Sequence, residues 1–504
     1  MISERSILAR FTDELILKYG LTQEDKDMIV RLINIAIDDR LYTDTKDYNH
    51  DIKHIERVLM YVKMIINKMD NPNINEELLL LAALYHDVGK THGASSKDHG
   101  IVGASYFKKM MQGKIDSKDI NTACLLIYQH ADEADTISFD DSEYTIEEKN
   151  SIQLMSDILK DADALDRNRL NYPPPIGECD PKKLRTEEAK DLLPITGELY
   201  EEYNKEIIKE VEEETGKSIL DNYELFEEWT SDYSEGKPVM IHASLNPGIS
   251  KLIPQQSTQK GAYVYAGKSP IDCFSMAVFR LSLLFPRTGG ENIGVTEIFP
   301  GSVERALKSK YITFYRLPDE LFHQYTDPVT SSPNGEWVSL EEVEPVEMIS
   351  FKASSLLKFL KSTGQFEVRQ DYSEDKRLEC ILNGFRSYIW ALKELKDNPL
   401  VLDQKFYMLK SIAEYYSERP DIGKMLESVR KDVDSIIVDE KEKTGNNPDY
   451  DDEEHFLQPI LDRFYAKLYK TDELGKRVFN TSYVDSLMKS KEEVLEEDNS
   501  QPHI

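Results

Sequence analysis

The run Leu78-Leu-Leu-Leu-Ala-Ala-Leu84 limits the possible folds of this chain more than any other feature. It has no polar stripe to turn towards water, so as a helix it must be buried on every side by other helices. Yet it continues directly into Tyr85-His86-Asp87-Val88-Gly89-Lys90. An imidazole and a carboxylate side by side at the end of a buried helix are costly unless something compensates them. A divalent metal does so directly, taking one imidazole nitrogen and one carboxylate oxygen. Further ligands must then come from the surrounding helices. His54 opens a helix whose buried face is Ile55, Val58, Leu59 and Val62, at the i, i+3, i+4, i+7 spacing. Asp163 closes another helix, on the side of Ile152, Met155 and Leu159. His50 and Asp161 lie close enough in sequence to compete for the same roles.

Three pieces carry a family likeness: His50-Asp-Ile-Lys-His54-Ile-Glu-Arg57-Val58, then His86-Asp87-Val-Gly-Lys90, then Asp161-Ala-Asp163-Ala-Leu165-Asp166. Their order and local context resemble the HD superfamily of metal-dependent phosphohydrolases, over about residues 45–200. The resemblance implies that His54, three residues before an Arg-Val pair, is the ligand rather than His50. It likewise selects Asp163 over Asp161 and leaves Asp161 to hydrogen-bond a ligand or water. The implied metal set is His54, His86, Asp87 and Asp163, joined by His99 and His130, which hold a second metal or contact phosphate. The implied chemistry is attack on phosphorus by a metal-activated water, with Asp87 both ligating and orienting. Lys90 and Arg167 are catalytic candidates for neutralising phosphate oxygens, and Arg169 and Arg185 are candidates for binding substrate. The ion is divalent, one or two in number, among Mn, Mg, Fe, Co, Ni and Zn. His92, in a loop, is given no role.

The chain of 504 residues is too long for one ordinary core. Residues 1–200 read as a mainly α helical bundle, followed by a helical connector over 201–235. The Pro-rich break at 173–175 interrupts the helical pattern. The texture changes at Gly236-Lys-Pro238, and 236–376 reads as an α+β domain with β-rich runs at Val239–His242, Ala262–Ala266, Tyr311–Leu317 and Val346–Phe351. Residues 377–504 read as a helical C-terminal region, with helices at Leu382–Leu395 and Leu400–Tyr416, an exposed loop at 444–454 and a frayed end. Within 237–352, Met240-Ile-His242-Ala-Ser244 and Gly261-Ala-Tyr263-Val-Tyr265-Ala266 resemble the ADP-ribosyltransferase-like fold of the His-Tyr type. That resemblance implies NAD as ligand, with His242 and Tyr265 binding it, and leaves the third catalytic position open among Glu341, Glu342 and Glu344.

With 93 acidic and 62 basic residues, the net charge is −31, which opposes broad nucleic-acid binding but not a small phosphorylated substrate beside a metal. Four dispersed cysteines give neither a disulfide framework nor a zinc ribbon. No apolar run reaches membrane-spanning length, so a reducing cytoplasm is the expected compartment, with no membrane partner. The expected activity is hydrolysis of a nucleotide or other small phosphoester, as a monoesterase or diesterase. The alternative is an ADP-ribosyltransferase-like effector, or a nucleotide-sensing protein whose HD half is accessory. The oligomeric state is open.

Overall fold

The computed structural model describes residues 5–486 except 43–49, 71, 92–97, 133, 135, 140–143, 171–176, 238, 258–260, 282–284, 288–292, 327–332, 396–399, 418, 445–452, 474 and 476. His92, the 173–175 break, most of the 444–454 loop and the last dozen residues therefore lie outside the described residues.

The N-terminal unit is helical, in the order α1 (Asp13–Lys18), α2 (Gln23–Asp38), α3 (Ile52–Lys68), α4 (Glu76–Tyr85), α5 (Val88–Thr91), α6 (His99–Met111), α7 (Ser117–His130), α8 (Ile146–Leu165) and α9 (Glu187–Thr215). The α4 helix is as enclosed as its composition demands, with Leu78, Leu79, Leu80, Ala82, Ala83, Leu84 and Tyr85 all buried. Burying each such leucine stabilises the fold by roughly 1.5–3 kcal/mol, so α4 is a principal source of cohesion. The α3 helix is buried on all faces from His54 to Ile66, because α2, α4, α8 and α9 pack around it. Its start is fixed by Asp51, whose Oδ1 accepts from the backbone N–H of Lys53 and of His54, each at 3.1 Å. A capping box of Thr145 and Glu148 starts α8. One continuous core runs from Ile7 to Ile207. Residue 200, where the first domain was expected to end, thus lies inside α9.

After α10 (Tyr223–Ser234) come the central elements: β1 (Met240–Ser244), β2 (Gln255–Ser257), β3 (Gly261–Ala266), α11 (Pro270–Leu281), β4 (Phe285–Arg287), β5 (Gly294–Glu297), α12 (Ser302–Leu307), β6 (Tyr311–Leu317), β7 (His323–Thr326), β8 (Pro333–Ser339), β9 (Glu347–Lys352), α13 (Ala353–Ser362) and β10 (Glu367–Gln370). They form three small sheets, ordered β1-β6-β9, β2-β3-β8-β7 and β10-β5-β4, antiparallel except for β10 with β5. The four expected β-rich runs are β1, β3, β6 and β9. The other strands are mostly of three or four residues, too short to display an alternating pattern.

The C-terminal region is helical: α14 (Glu374–Asn383), α15 (Phe385–Trp390), α16 (Val401–Tyr416), α17 (Ile422–Thr444) and α18 (Gln458–Leu468). The single helix expected at Leu382–Leu395 is instead divided at Gly384, where a Cβ would meet Leu409 Cδ1 at 2.4 Å. Only glycine lets α16 approach this closely. This core takes in Ile298 and Phe299 from the central unit. No helix among the described residues is long and apolar enough to cross a membrane.

Candidate metal centre

Five helices converge on one buried cluster. His54 comes from the first turn of α3, His86 and Asp87 from the end of α4, His99 from the start of α6, His130 from the end of α7 and Asp163 from the last turn of α8. Glycines make this convergence possible. A Cβ on Gly89 would lie 2.1 Å from the carbonyl oxygen of His99, so only glycine lets α5 touch the start of α6. A Cβ on Gly100 would similarly meet the Tyr128 carbonyl and Ala131 Cβ at 2.9 Å, so α6 lies directly on α7 and sets His99 beside His130.

Asp87 stands at the centre, with its side chain only 5% exposed. Its Oδ2 lies 3.3 Å from His54 Nε2 and 3.4 Å from His86 Nε2. Its Oδ1 lies 3.4 Å from His99 Nε2 and 3.6 Å from His130 Nε2. The donors thus form two triads sharing one carboxylate, His54–His86–Asp87 and Asp87–His99–His130. Asp163 joins the first triad through Oδ1, 3.4 Å from His54 Nε2, and is the member most open to solvent. His99 Nε2 and His130 Nε2 approach to 3.0 Å.

Each of three histidines has its other nitrogen committed. Nδ1 of His86 donates to the Ala83 carbonyl at 2.7 Å, and Nδ1 of His130 donates to the Ile127 carbonyl at 2.5 Å. A carbonyl can only accept, so the proton sits on Nδ1 and Nε2 keeps its lone pair for the cluster. Nδ1 of His54 bonds Asp166 Oδ2 at 2.8 Å. The buried Nε2 atoms of His54 and His86 have no hydrogen-bond partner among the described residues. Orphaned imidazole nitrogens aimed at a shared buried carboxylate fit a divalent metal, which satisfies all of them at once.

The electrostatics agree. Arg57 pairs with Asp166, and Arg169 pairs with Asp163 and Asp166. Burial raises the Asp87 carboxyl, but His86, His130 and His54 more than reverse this and hold it well below the usual carboxylate range. Burial likewise opposes ionisation of Asp163, and Arg169 with His54 and His86 outweighs it, so its carboxyl is also held low. Burial alone lowers His86, and Asp87 turns the net shift upward. A site that favours positive charge at the His86 imidazole favours a cation beside it.

The expected role of Asp161 is corrected by the structure. Its fully buried carboxylate accepts from the backbone N–H of Arg185 at 2.9 Å and of Thr186 at 2.8 Å, and from Thr186 Oγ1 at 2.8 Å. It anchors the start of α9 rather than a metal ligand. The supporting carboxylate is Asp166, which holds His54 and accepts from Arg57 Nε at 2.7 Å and Nη2 at 3.0 Å. The signal for this pair lay in the spacing. Asp166 follows Asp163 by one turn, and Arg57 follows His54 by one turn, so each shares its ligand's helix face.

The remaining candidates divide. Arg169 touches the cluster, donating from Nη2 to Asp163 Oδ1 at 3.3 Å and from Nη1 to the Asp166 carbonyl at 3.1 Å. Lys90, half-buried in α5, donates its backbone N–H to the Asp87 carbonyl at 2.9 Å. Arg167 is half-buried in the 3-10 turn Asp166–Arg169. Arg185 is directed to Asp157, Asp161 and the Lys183 carbonyl. His50 reaches the rim, with Nε2 3.9 Å from Asp87 Oδ2. In the central unit, His242 on β1 and Tyr265 on β3 do meet, through His242 Nδ1 and the Tyr265 carbonyl at 2.7 Å.

The family model of the HD domain matches residues 51–168. No curated protein and no solved structure is significantly similar to the chain.

Proposed function

Residues 51–168 are an HD domain, and on that premise we propose that this chain hydrolyses a nucleotide or another small phosphoester with one or two divalent metals. The observation that supports the reading most is the shared carboxylate, Asp87, whose two oxygens each face a pair of imidazole nitrogens. His54, His86, Asp87 and Asp163 would hold the first ion, and Asp87, His99 and His130 the second. Bound there, the metal supplies Lewis acidity towards water and towards phosphoryl oxygens. The chain itself supplies the rest. Asp166 fixes the His54 ring and Arg169 restrains Asp163. Lys90 and Arg167, close by in sequence, would neutralise phosphate oxygens.

The test is a screen of mono-, di- and cyclic nucleotides and simple phosphate esters, using full-length protein supplied with each candidate metal. Metal-dependent release of phosphate or nucleoside monophosphate from at least one class is expected. Stable metal binding without turnover of any ester would overturn hydrolysis and leave a sensing role. A second reading concerns residues 236–376 alone, and the His242–Tyr265 pairing supports it. There a nucleotide such as NAD binds, and His242→Ala weakens it in calorimetry; an unchanged affinity rejects this reading.

A further inference from the structure

One residue of the central unit reaches into the scaffold of the metal centre. Lys310, at the end of the turn that follows α12, is buried to 7% exposure. Its Nζ donates to the carbonyl of Asn168 and, at 3.3 Å, to the carbonyl of Leu170. Both belong to the 3-10 turn Asp166–Arg169 or its end, the segment that carries Asp166, Arg167 and Arg169. The Lys310 ammonium also sits 5.5 Å from the ring of Tyr200, whose ring is also 5.2 Å from the Arg57 guanidinium. Arg57 in turn grips Asp166, and Asp166 holds His54. The path from a central-domain ammonium to a metal ligand therefore consists of direct contacts.

The backbone delivering Lys310 is shaped for the purpose. Ser309 has φ of +58°, a left-handed conformation that non-glycine residues adopt at a cost of order 1–3 kcal/mol. Its side chain faces Gly197 of α9, where a Cβ would lie 2.8 Å from Ser309 Oγ. The Ala353 N–H bonds the Lys310 carbonyl at 2.9 Å, tying the turn to the start of α13. Burial is unfavourable for an ammonium and pushes Lys310 down to about 8, against the pull of Asp166 and Glu178. A residue kept there despite that penalty is explained by carbonyls at the end of a 3-10 turn, which favour a cation.

We propose that Lys310 is a positioning residue of the metal centre, clamping the Asp166–Arg169 turn so that Asp166 aligns His54 and Arg169 aligns Asp163. The hydrolytic part of this proposal rests on the phosphohydrolase reading; the metal-binding part does not. Both are read on full-length protein, with Mn(II) as the metal probe. Lys310→Met keeps most of the length of the side chain and removes the donor and charge. It is expected to weaken Mn(II) binding roughly 10–100-fold, the range for losing a group that orients a ligand. It should lower kcat on any ester turned over, with KM changed far less, and Lys310→Arg should restore most of both. Lys310→Gln, which removes the charge but stays polar, carries the same test if the methionine variant does not fold.

A reciprocal measurement needs no variant. If the clamp couples to the metal, Mn(II) must stabilise the clamp in return. Hydrogen exchange of wild-type peptides covering 306–312 should slow when Mn(II) is added. Unchanged Mn(II) affinity in folded Lys310→Met or Lys310→Gln, or exchange at 306–312 that ignores Mn(II), overturns the proposal. Reduced Mn(II) affinity in a protein that hydrolyses nothing would retain the clamp and reject the phosphohydrolase reading alone.

Discussion

The histidines of the centre are held by what their outward nitrogens touch. Ala83 and Ile127 carbonyls fix two rings, and Asp166 fixes the third. Asp161 and Asp166 are both buried, but they do different work, and substitution separates them. Asp166→Asn removes the charge that orients His54 and pairs with Arg57, so metal affinity should fall roughly 10–100-fold. Asp161→Asn should leave metal affinity near wild type and instead lower thermal stability, because Asp161 anchors Arg185 and Thr186. Calorimetric metal titration and thermal melts of both variants check the pair of outcomes; the opposite ranking contradicts the assignment. The meeting of His54, His86, Asp87 and Asp163 was expected because polar groups stand at the ends of apolar helices and the family resemblance selects among the competing ones. Asp166 was not, because a third carboxylate just past a helix end looks like an ordinary cap until Arg57 is seen beside it.

Between elements, close contact of short segments does what side-chain chemistry alone cannot. The α4 helix could be read from its apolar run, and its burial follows from that run. The position of α6 could not, because it depends on Gly89 allowing the His99 carbonyl to approach. Gly89→Ala should force α5 and α6 apart, at a cost of about 1–3 kcal/mol for overpacking. His99 should move away from Asp87, so bound metal should fall towards one ion while the His54–His86–Asp87 triad keeps its own. Metal analysis and a thermal melt check this; an unchanged stoichiometry and melting temperature would contradict it. In the central unit, β6 was legible because five of its seven residues, Tyr311 to Tyr315, are of β-favouring type and Arg316 alone is charged. Strands such as β2 and β4 exist because longer neighbours pair with them, and that pairing leaves no local pattern.

At the scale of the whole molecule, the expected boundaries at 200 and 236 meet a structure in which α9 carries side chains of the N-terminal core as far as Ile207. Beyond it, Ile208, Val211 and Ile219 pack with Tyr311 of β6. The Asp221 N–H bonds the Ser350 carbonyl at 2.8 Å, and Phe299 lies in the C-terminal core. A change of composition marks where β-rich sequence begins, but it carries no information about which surfaces dock. We propose that the HD unit extends through α9 and that a fragment ending near residue 230 folds on the core of residues 7–207. Lacking Lys310, it should bind Mn(II) more weakly than the full chain, by a factor similar to that of Lys310→Met. Equal affinity in fragment and full chain would show that the units work independently.

Metal content read together with turnover is the sharpest test of Asp87 as the shared ligand of the proposed phosphoester-hydrolysing metal centre. Full-length wild type and Asp87→Ala would be purified alike, supplied with the same divalent ion, and assayed for bound metal and for release of phosphate from the best ester found. One to two ions per wild-type chain and turnover that a chelator abolishes are expected, with both bound metal and turnover lost in a folded Asp87→Ala protein. Wild-type metal content and wild-type turnover in Asp87→Ala would contradict that role.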